Sequence, residues 1–210
     1  MKIIDVKSLA IPEVKVIKYG RFNDIRGYFT ETFRKSDLMK LDFMNGVEFV
    51  QTNDAYSHAG TLRGLHFQWN PYMGKLIRVE YGHLIDLVLD IRKGSPALGK
   101  IIAYEIKSDP ARDNDEWIWL PPGFAHGTLL LETSHIEYFC SGEYSQGCEA
   151  GISPLAKDID WSLCDAKLKK VFDSIAPSTK FITDKDRKGL TVAQWLGDAR
   201  SDNFRYPVRG

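Results

Sequence analysis

The 210-residue sequence predicts an all-β fold, an antiparallel sandwich or barrel. Short apolar runs recur along the chain, separated by glycine and turn residues. Aromatic residues are abundant, with five Trp, nine Tyr and eleven Phe, and such side chains suit pleated, half-buried surfaces. A helical period of apolar residues appears only at the edges of this pattern.

In chain order, strands are expected at Val14–Ile17, Tyr28–Phe33, Phe49–Thr52, Thr61–Phe67 and Lys75–Tyr81. Further strands are expected at Leu84–Ile91, Ile101–Ile106, Trp117–Leu120, Thr128–Leu131 and Ile136–Cys140. Tyr81-Gly82-His83 reads as a tight turn, while Arg92–Pro96 and Ser108–Asp113 read as longer loops. One helical turn is expected at Ser36–Met39. Trp161, Leu163, Leu168, Val171 and Phe172 carry a broken amphipathic pattern, and Leu190–Leu196 suggests a short helix. No linker or repeat divides the chain, so one all-β domain with a C-terminal tail is expected.

Composition narrows the function classes. Lys plus Arg and Asp plus Glu number 28 each, so no net field favours nucleic acid or an anionic membrane. No run approaches the ~20 apolar residues needed to span a bilayer, and the charged start MKIIDVK does not resemble a signal peptide. Cys140, Cys148 and Cys164 form no C-x-x-C pair, and a cytoplasmic protein with reduced thiols is expected.

Two polar segments interrupt the strand pattern. In Thr61-Leu62-Arg63-Gly64-Leu65-His66-Phe67-Gln68, alternation puts Leu62, Gly64, His66 and Gln68 on one face. Gly64 leaves room beside His66 for a ligand or another backbone. Arg63 and His66 have opposite parity, so either a bulge near Gly64 re-phases them or they serve different sites. The second segment, Leu120-Pro121-Pro122-Gly123-Phe124-Ala125-His126-Gly127, places His126 just after a turn, at a sheet end. Tyr138 then shares a face with Ile136 and Cys140.

Imidazole titrates near neutrality, so His66 suits a general base, with Tyr138 as acid and Lys75 beside a developing oxyanion. That set suits proton abstraction next to a carbonyl. The same residues also read as hydrogen-bonded structural histidines and a core aromatic. No H-x-H pair supports a metal, and none is expected. No G-x-S-x-G, P-loop or G-x-G-x-x-G is present, so neither serine catalysis nor nucleotide-cofactor chemistry has support.

Longer motifs then set a family resemblance. Phe22-Asn23-Asp24-Ile25-Arg26-Gly27-Tyr28-Phe29-Thr30-Glu31, Gln51-Thr52-Asn53 and Gly60–Gln68 are followed in order by Gly74–Val79, Asp90-Ile91-Arg92, Gly94-Ser95-Pro96 and Pro122–Gly127. In this combination the chain, from about Val14 to Arg187, resembles the cupin-type dTDP-4-dehydrorhamnose 3,5-epimerases. The resemblance implies a double-stranded β-helix, or jelly-roll, barrel with short peripheral and C-terminal helices. It implies a homodimer contacted through about residues 1–30, and a helical tail over about 160–210.

It also implies roles: His66 as base, Tyr138 as proton donor, Asp186 as the carboxylate orienting the base, and Lys75 near the C4 carbonyl oxygen. Arg26, Phe29, Glu31, Gln51, Asn53, Arg63, His126, Glu149 and Lys185 match substrate and nucleotide contacts, Arg26 and Glu31 from a segment that crosses to the partner subunit. Phe22, Phe29 or Tyr144 would offer stacking faces for the nucleotide, and each equally reads as a packing aromatic. The substrate so implied is a nucleotide-diphosphate sugar, epimerised at C3 and C5 beside a 4-keto group without cofactor or metal. The expected reaction turns dTDP-4-dehydro-6-deoxy-D-glucose into dTDP-4-dehydro-L-rhamnose. A single-centre epimerase on a CDP- or GDP-linked sugar and a non-catalytic sugar-nucleotide-binding cupin are the alternatives. The spacing from His126 to the acid position is one residue short, so a gap before Thr133 selects Tyr138 and its absence selects Phe139.

Overall fold

The structure, a computed structural model, describes residues 1–207. Its strands are β1 (Ile3–Ser8), β2 (Lys15–Gly20), β3 (Phe22–Asp24), β4 (Gly27–Phe29), β5 (Gln51–Ser57), β6 (Leu62–Gln68) and β7 (Lys75–Tyr81). They continue with β8 (His83–Asp90), β9 (Ile101–Lys107), β10 (Asn114–Leu120), β11 (Phe124–Leu130), β12 (Ser134–Cys140) and β13 (Glu149–Gly151). Four helices accompany them: α1 (Lys35–Leu38), α2 (Ala166–Ile175), α3 (Asp184–Arg187) and α4 (Val192–Gly197). The last residues of the expected tail, 208–210, lie outside the described residues.

A six-stranded sheet, in the order β1-β2-β10-β7-β12-β5, faces a five-stranded sheet, β13-β6-β11-β8-β9, and β3-β4 form a separate two-stranded ribbon. The pairings are antiparallel throughout, as a jelly roll requires. Side-chain alternation divides the apolar residues into three layers. Ile77, Val79, Val88, Ile118, Leu130 and Ile136 meet between the sheets. Trp117, Trp119 and Leu76 point out from the six-stranded sheet and are covered by Leu38 and Met44. Leu65, Phe67, Leu87 and Leu129 point out from the five-stranded sheet against Phe172, Trp195 and Phe204. The C-terminal tail is therefore a structural layer, fastened by capped helices: Asp165 caps α2, and Thr191 with Gln194 forms a capping box on α4.

The parity conflict at β6 is resolved by a bulge. His66 pairs with His126, yet Arg63 pairs with Thr128, so β6 spends one residue more than β11 over that span. Gly64 carries the irregularity at φ +104°, a region an L side chain rarely adopts, and a Cβ there would lie 2.6 Å from both Gly127 Cα and His126 O. The room left by Gly64 is thus filled by neighbouring backbone. The bulge also corrects the single face expected for β6, because Leu62 turns into the core beneath the helices while Arg63 joins His66.

Other boundaries differ for identifiable reasons. The strand expected at Tyr28–Phe33 ends at Phe29, where the β3-β4 ribbon stops; Phe33 turns inward and stacks on Phe139, with ring centroids 4.9 Å apart. His126 is the third residue of β11, buried within the strand, instead of sitting at the sheet end. Three strands lie outside the expected runs: β1, β3 and β13. β1 and β3 are largely exposed and β13 has only three residues, so none shows a clear apolar alternation.

Candidate active site

The inward rows of both sheets change from apolar to polar at one mouth of the sandwich. Lys75 on β7 and Tyr138 on β12, with Arg63 and His66 on β6 and His126 on β11, line one cavity of ≈ 230 Å³. Asn53 and Cys140 complete its wall. An adjoining cleft of ≈ 170 Å³ brings Gln51, Tyr144 and Glu149 up to His66 and Lys75. On the other side a pocket of ≈ 470 Å³ runs from Arg63 and His66 past Lys185 to Phe181.

His66 is oriented from outside the barrel. Its Nε2 lies 2.7 Å from Asp186 Oδ1, and the backbone N–H of Gly64 donates to Asp186 Oδ2 at 3.3 Å. Asp186 belongs to α3, a single turn started by Thr183, whose hydroxyl accepts from the Asp186 N–H. Burial opposes ionisation of Asp186. The hydrogen bond and charge of His66 and the bonds from Gly64 and Thr183 outweigh it, holding the carboxyl below its ordinary value.

Three further groups take their states from burial. Tyr138 has its phenol pushed well up by burial and by the Asp86 charge, with Arg63 opposing, so it is an O–H donor at neutral pH. His126 is driven toward the neutral imidazole by burial, against the opposing pull of Asp86. Asp86 Oδ2 lies 2.7 Å from His126 Nε2 and accepts its proton, leaving Nδ1 as the acceptor nitrogen. Lys75 is lowered by burial, while Cys140, Asp86 and Glu149 hold it up. Among the described residues neither Lys75 nor Arg63 has an ion-pair partner, and Arg63 spends only Nε on Ser57, at 3.0 Å. A cation facing a cavity without a carboxylate is poised for an anionic or carbonyl oxygen.

Tyr138 and Phe139 lie on opposite faces of β12. Tyr138 points into the cavity, its ring edge-on to His126 at 6.0 Å, while Phe139 lies on the outer face among Phe33, Phe49 and Trp117. Lys185 donates to Glu149 Oε1 at 3.0 Å, and the Tyr144 hydroxyl reaches the same oxygen at 3.2 Å, linking α3 to β13.

Arg26, Phe29 and Glu31 are not brought to this cavity. Arg26 pairs with Asp24 at the exposed tip of the β3-β4 ribbon, Phe29 is 68% exposed, and Glu31 bonds the Met1 amine and Arg34. The ribbon stands off the sheets with Phe22 and Tyr28 also exposed, so Phe22 is no part of the cavity either. Asp86 was not among the expected site residues. Its signal is a charge at an inward position of the apolar strand Leu84-Ile85-Asp86-Leu87-Val88, where a carboxylate persists only with a partner. The one grouping of metal-ligand type among the described residues, Asp54, Glu80 and His135, lies on the outer sheet face. There His135 Nε2 lies 2.5 Å from Asp54 Oδ2 and its Nδ1 lies 3.2 Å from Glu80 Oε2.

Two antiparallel sheets packed around a polar cavity make this protein a cupin of the jelly-roll type. The chain belongs to the dTDP-4-dehydrorhamnose 3,5-epimerase family, whose model matches residues 8–194, and it is an epimerase, an isomerase by class. A dTDP-4-dehydrorhamnose 3,5-epimerase of Sinorhizobium fredii is 38% identical over 177 residues, 82% of this chain and 88% of the relative. Its Pseudomonas aeruginosa counterpart is 34% identical over 190 residues, 88% of this chain and 94% of the relative. The solved dTDP-6-deoxy-D-glucose-3,5-epimerase of Legionella pneumophila, in complex with dTDP-4-keto-L-rhamnose, is similar at a TM-score of 0.79 and 30% identity, over 96% of this chain and 98% of that one.

Proposed function

We propose that the protein converts dTDP-4-dehydro-6-deoxy-D-glucose into dTDP-4-dehydro-L-rhamnose by inverting C3 and C5 of the sugar. The observation that carries this reading is the convergence of His66, Lys75 and Tyr138 on one small cavity, with Asp186 behind His66. The 4-keto group acidifies the protons on both neighbouring carbons. His66 takes one of them, Asp186 stabilises the imidazolium, and the electron pair moves onto O4 as an enolate. Lys75, which lines the same cavity and makes no direct ion pair among the described residues, stabilises that oxyanion. Tyr138, held protonated by burial, returns a proton to the opposite face, and the centre is inverted. Arg63 and Lys185 flank the mouth and supply charge-assisted bonds to the diphosphate.

A homodimer completes this reading. The exposed apolar side chains of the β3-β4 ribbon, Phe22, Ile25, Tyr28 and Phe29, would be covered by a second copy, delivering Arg26, Phe29 and Glu31 to its nucleotide. No helix among the described residues is long and apolar enough to cross a membrane, and the three cysteines are free, in keeping with a cytoplasmic reaction.

The test is proton NMR in deuterium oxide with the dTDP-4-keto substrate. Loss of both H3 and H5 signals, with appearance of the L-sugar, is the expected result. Loss of one signal alone makes the protein a single-centre epimerase. No exchange by folded protein overturns the substrate assignment, and CDP- and GDP-linked 4-keto sugars are then assayed in its place.

A further inference from the structure

We infer that Cys140 is a positioning residue: it ends a one-way hydrogen-bond chain that fixes the amide orientation of Gln51 and Asn53 and leaves each an uncommitted N–H donor for the ligand. The consequence for substrate rests on the function proposed above; the chain itself does not. It begins at the backbone of Tyr144, whose N–H donates to Gln51 Oε1 at 2.8 Å. Gln51 Nε2 donates to Asn53 Oδ1 at 2.8 Å, and Asn53 Nδ2 donates to Cys140 Sγ at 3.7 Å.

A carboxamide is nearly symmetric in shape, so its orientation is set by its partners. A backbone N–H can only donate, so Gln51 must turn its oxygen toward Tyr144. Its NH2 then faces Asn53, which turns its own oxygen toward Gln51 and its NH2 toward the thiol. Sulfur is a weak acceptor, sufficient to terminate the chain. Both amide oxygens are engaged from within the protein, and each NH2 keeps one hydrogen uncommitted. Gln51 and Asn53 line the cleft that holds His66 and Lys75, so those hydrogens belong to the same site. Beside the cations Lys75 and Arg63, such a rim favours groups rich in acceptors, such as phosphate or keto oxygens.

The experiment compares Cys140→Ala, Cys140→Ser and the parent protein. In ligand-free, 15N-labelled protein, Cys140→Ala should shift the Asn53 side-chain amide resonances, and Cys140→Ser should return them toward the parent positions because a hydroxyl oxygen accepts. With the dTDP-4-keto sugar, Cys140→Ala should lower kcat/KM about three- to tenfold, the loss falling in KM. Cys140→Ser should recover most of it. Unmoved Asn53 resonances in Cys140→Ala, or a serine variant no better than the alanine variant, would overturn the assignment. Should the parent protein fail to turn over that sugar, the ligand-free resonances still decide the chain, so the two failures are distinguishable. If Cys140→Ala does not fold, Asn53→Asp takes its place. Its acceptor-only carboxylate should bind dTDP more weakly than Asn53→Ala does, and equal affinities would count against the donor rim.

Discussion

Burial divides the labour among the titratable residues of the cavity. Tyr138 is kept protonated and His126 is driven toward neutrality, while Asp186 stays ionised because His66, the Gly64 N–H and the Thr183 side chain hold its charge. His66→Asn should cut turnover about 10²- to 10⁴-fold while dTDP still binds, because it removes proton transfer and little else. Steady-state rates alongside calorimetric titration with dTDP separate the two effects, and unchanged turnover would exclude His66 as the base. Tyr138→Phe should keep His66-side deuterium exchange while formation of the L-sugar falls, since abstraction survives and return to the far face does not. Asp186 also makes stability pH-dependent. Its folded carboxyl lies below the ordinary 3.8, so it stabilises the fold above that pH. The contribution is lost as pH falls through the lowered folded value. Parent and Asp186→Asn urea midpoints should therefore differ most near neutral pH and converge below about pH 4. A constant gap across that range would refute the linkage.

Among the elements, β6 shows how a strand can serve two directions. A regular strand cannot aim Arg63 and His66 at one cavity; the bulge at Gly64 does so by spending one extra residue. Gly64→Ala should cost about 2 kcal/mol or more, because the methyl meets backbone at 2.6 Å in a left-handed conformation. That corresponds to a fall in Tm of roughly 4–8 °C, readable by calorimetry, and a variant as stable as the parent would mean that the strand re-registers freely. This irregularity was legible in the sequence, because the glycine and the parity conflict stood side by side. The long buried strands were legible too, and β7 has the expected bounds. β1 and β3 were not, since an exposed strand has no need of apolar alternation. The contact of α3 with His66 lay beyond any local pattern: Asp186 is 120 positions from its partner, and only the family resemblance pointed to it.

For the molecule as a whole, the C-terminal layer both covers the five-stranded sheet and carries half of the His66–Asp186 pair. Trp195 is fully buried and touches Phe67, Trp69 and Phe204, so Trp195→Ala should cost about 3–5 kcal/mol in chemical unfolding. Activity should be lost along with the docking of this layer, and retention of full activity after its release would break the connection. The separation of His66 from Asp186 has a further meaning for a chain made from its N-terminus onward. When the strands of both sheets have left the ribosome, His66 has been made but its partner carboxylate, Asp186, has yet to be synthesised. A nascent or prematurely terminated polypeptide ending before α3 holds His66 without the carboxylate that orients it. Under the proposed mechanism, proton abstraction from a sugar would therefore wait until translation has passed residue 186 and the last layer has settled.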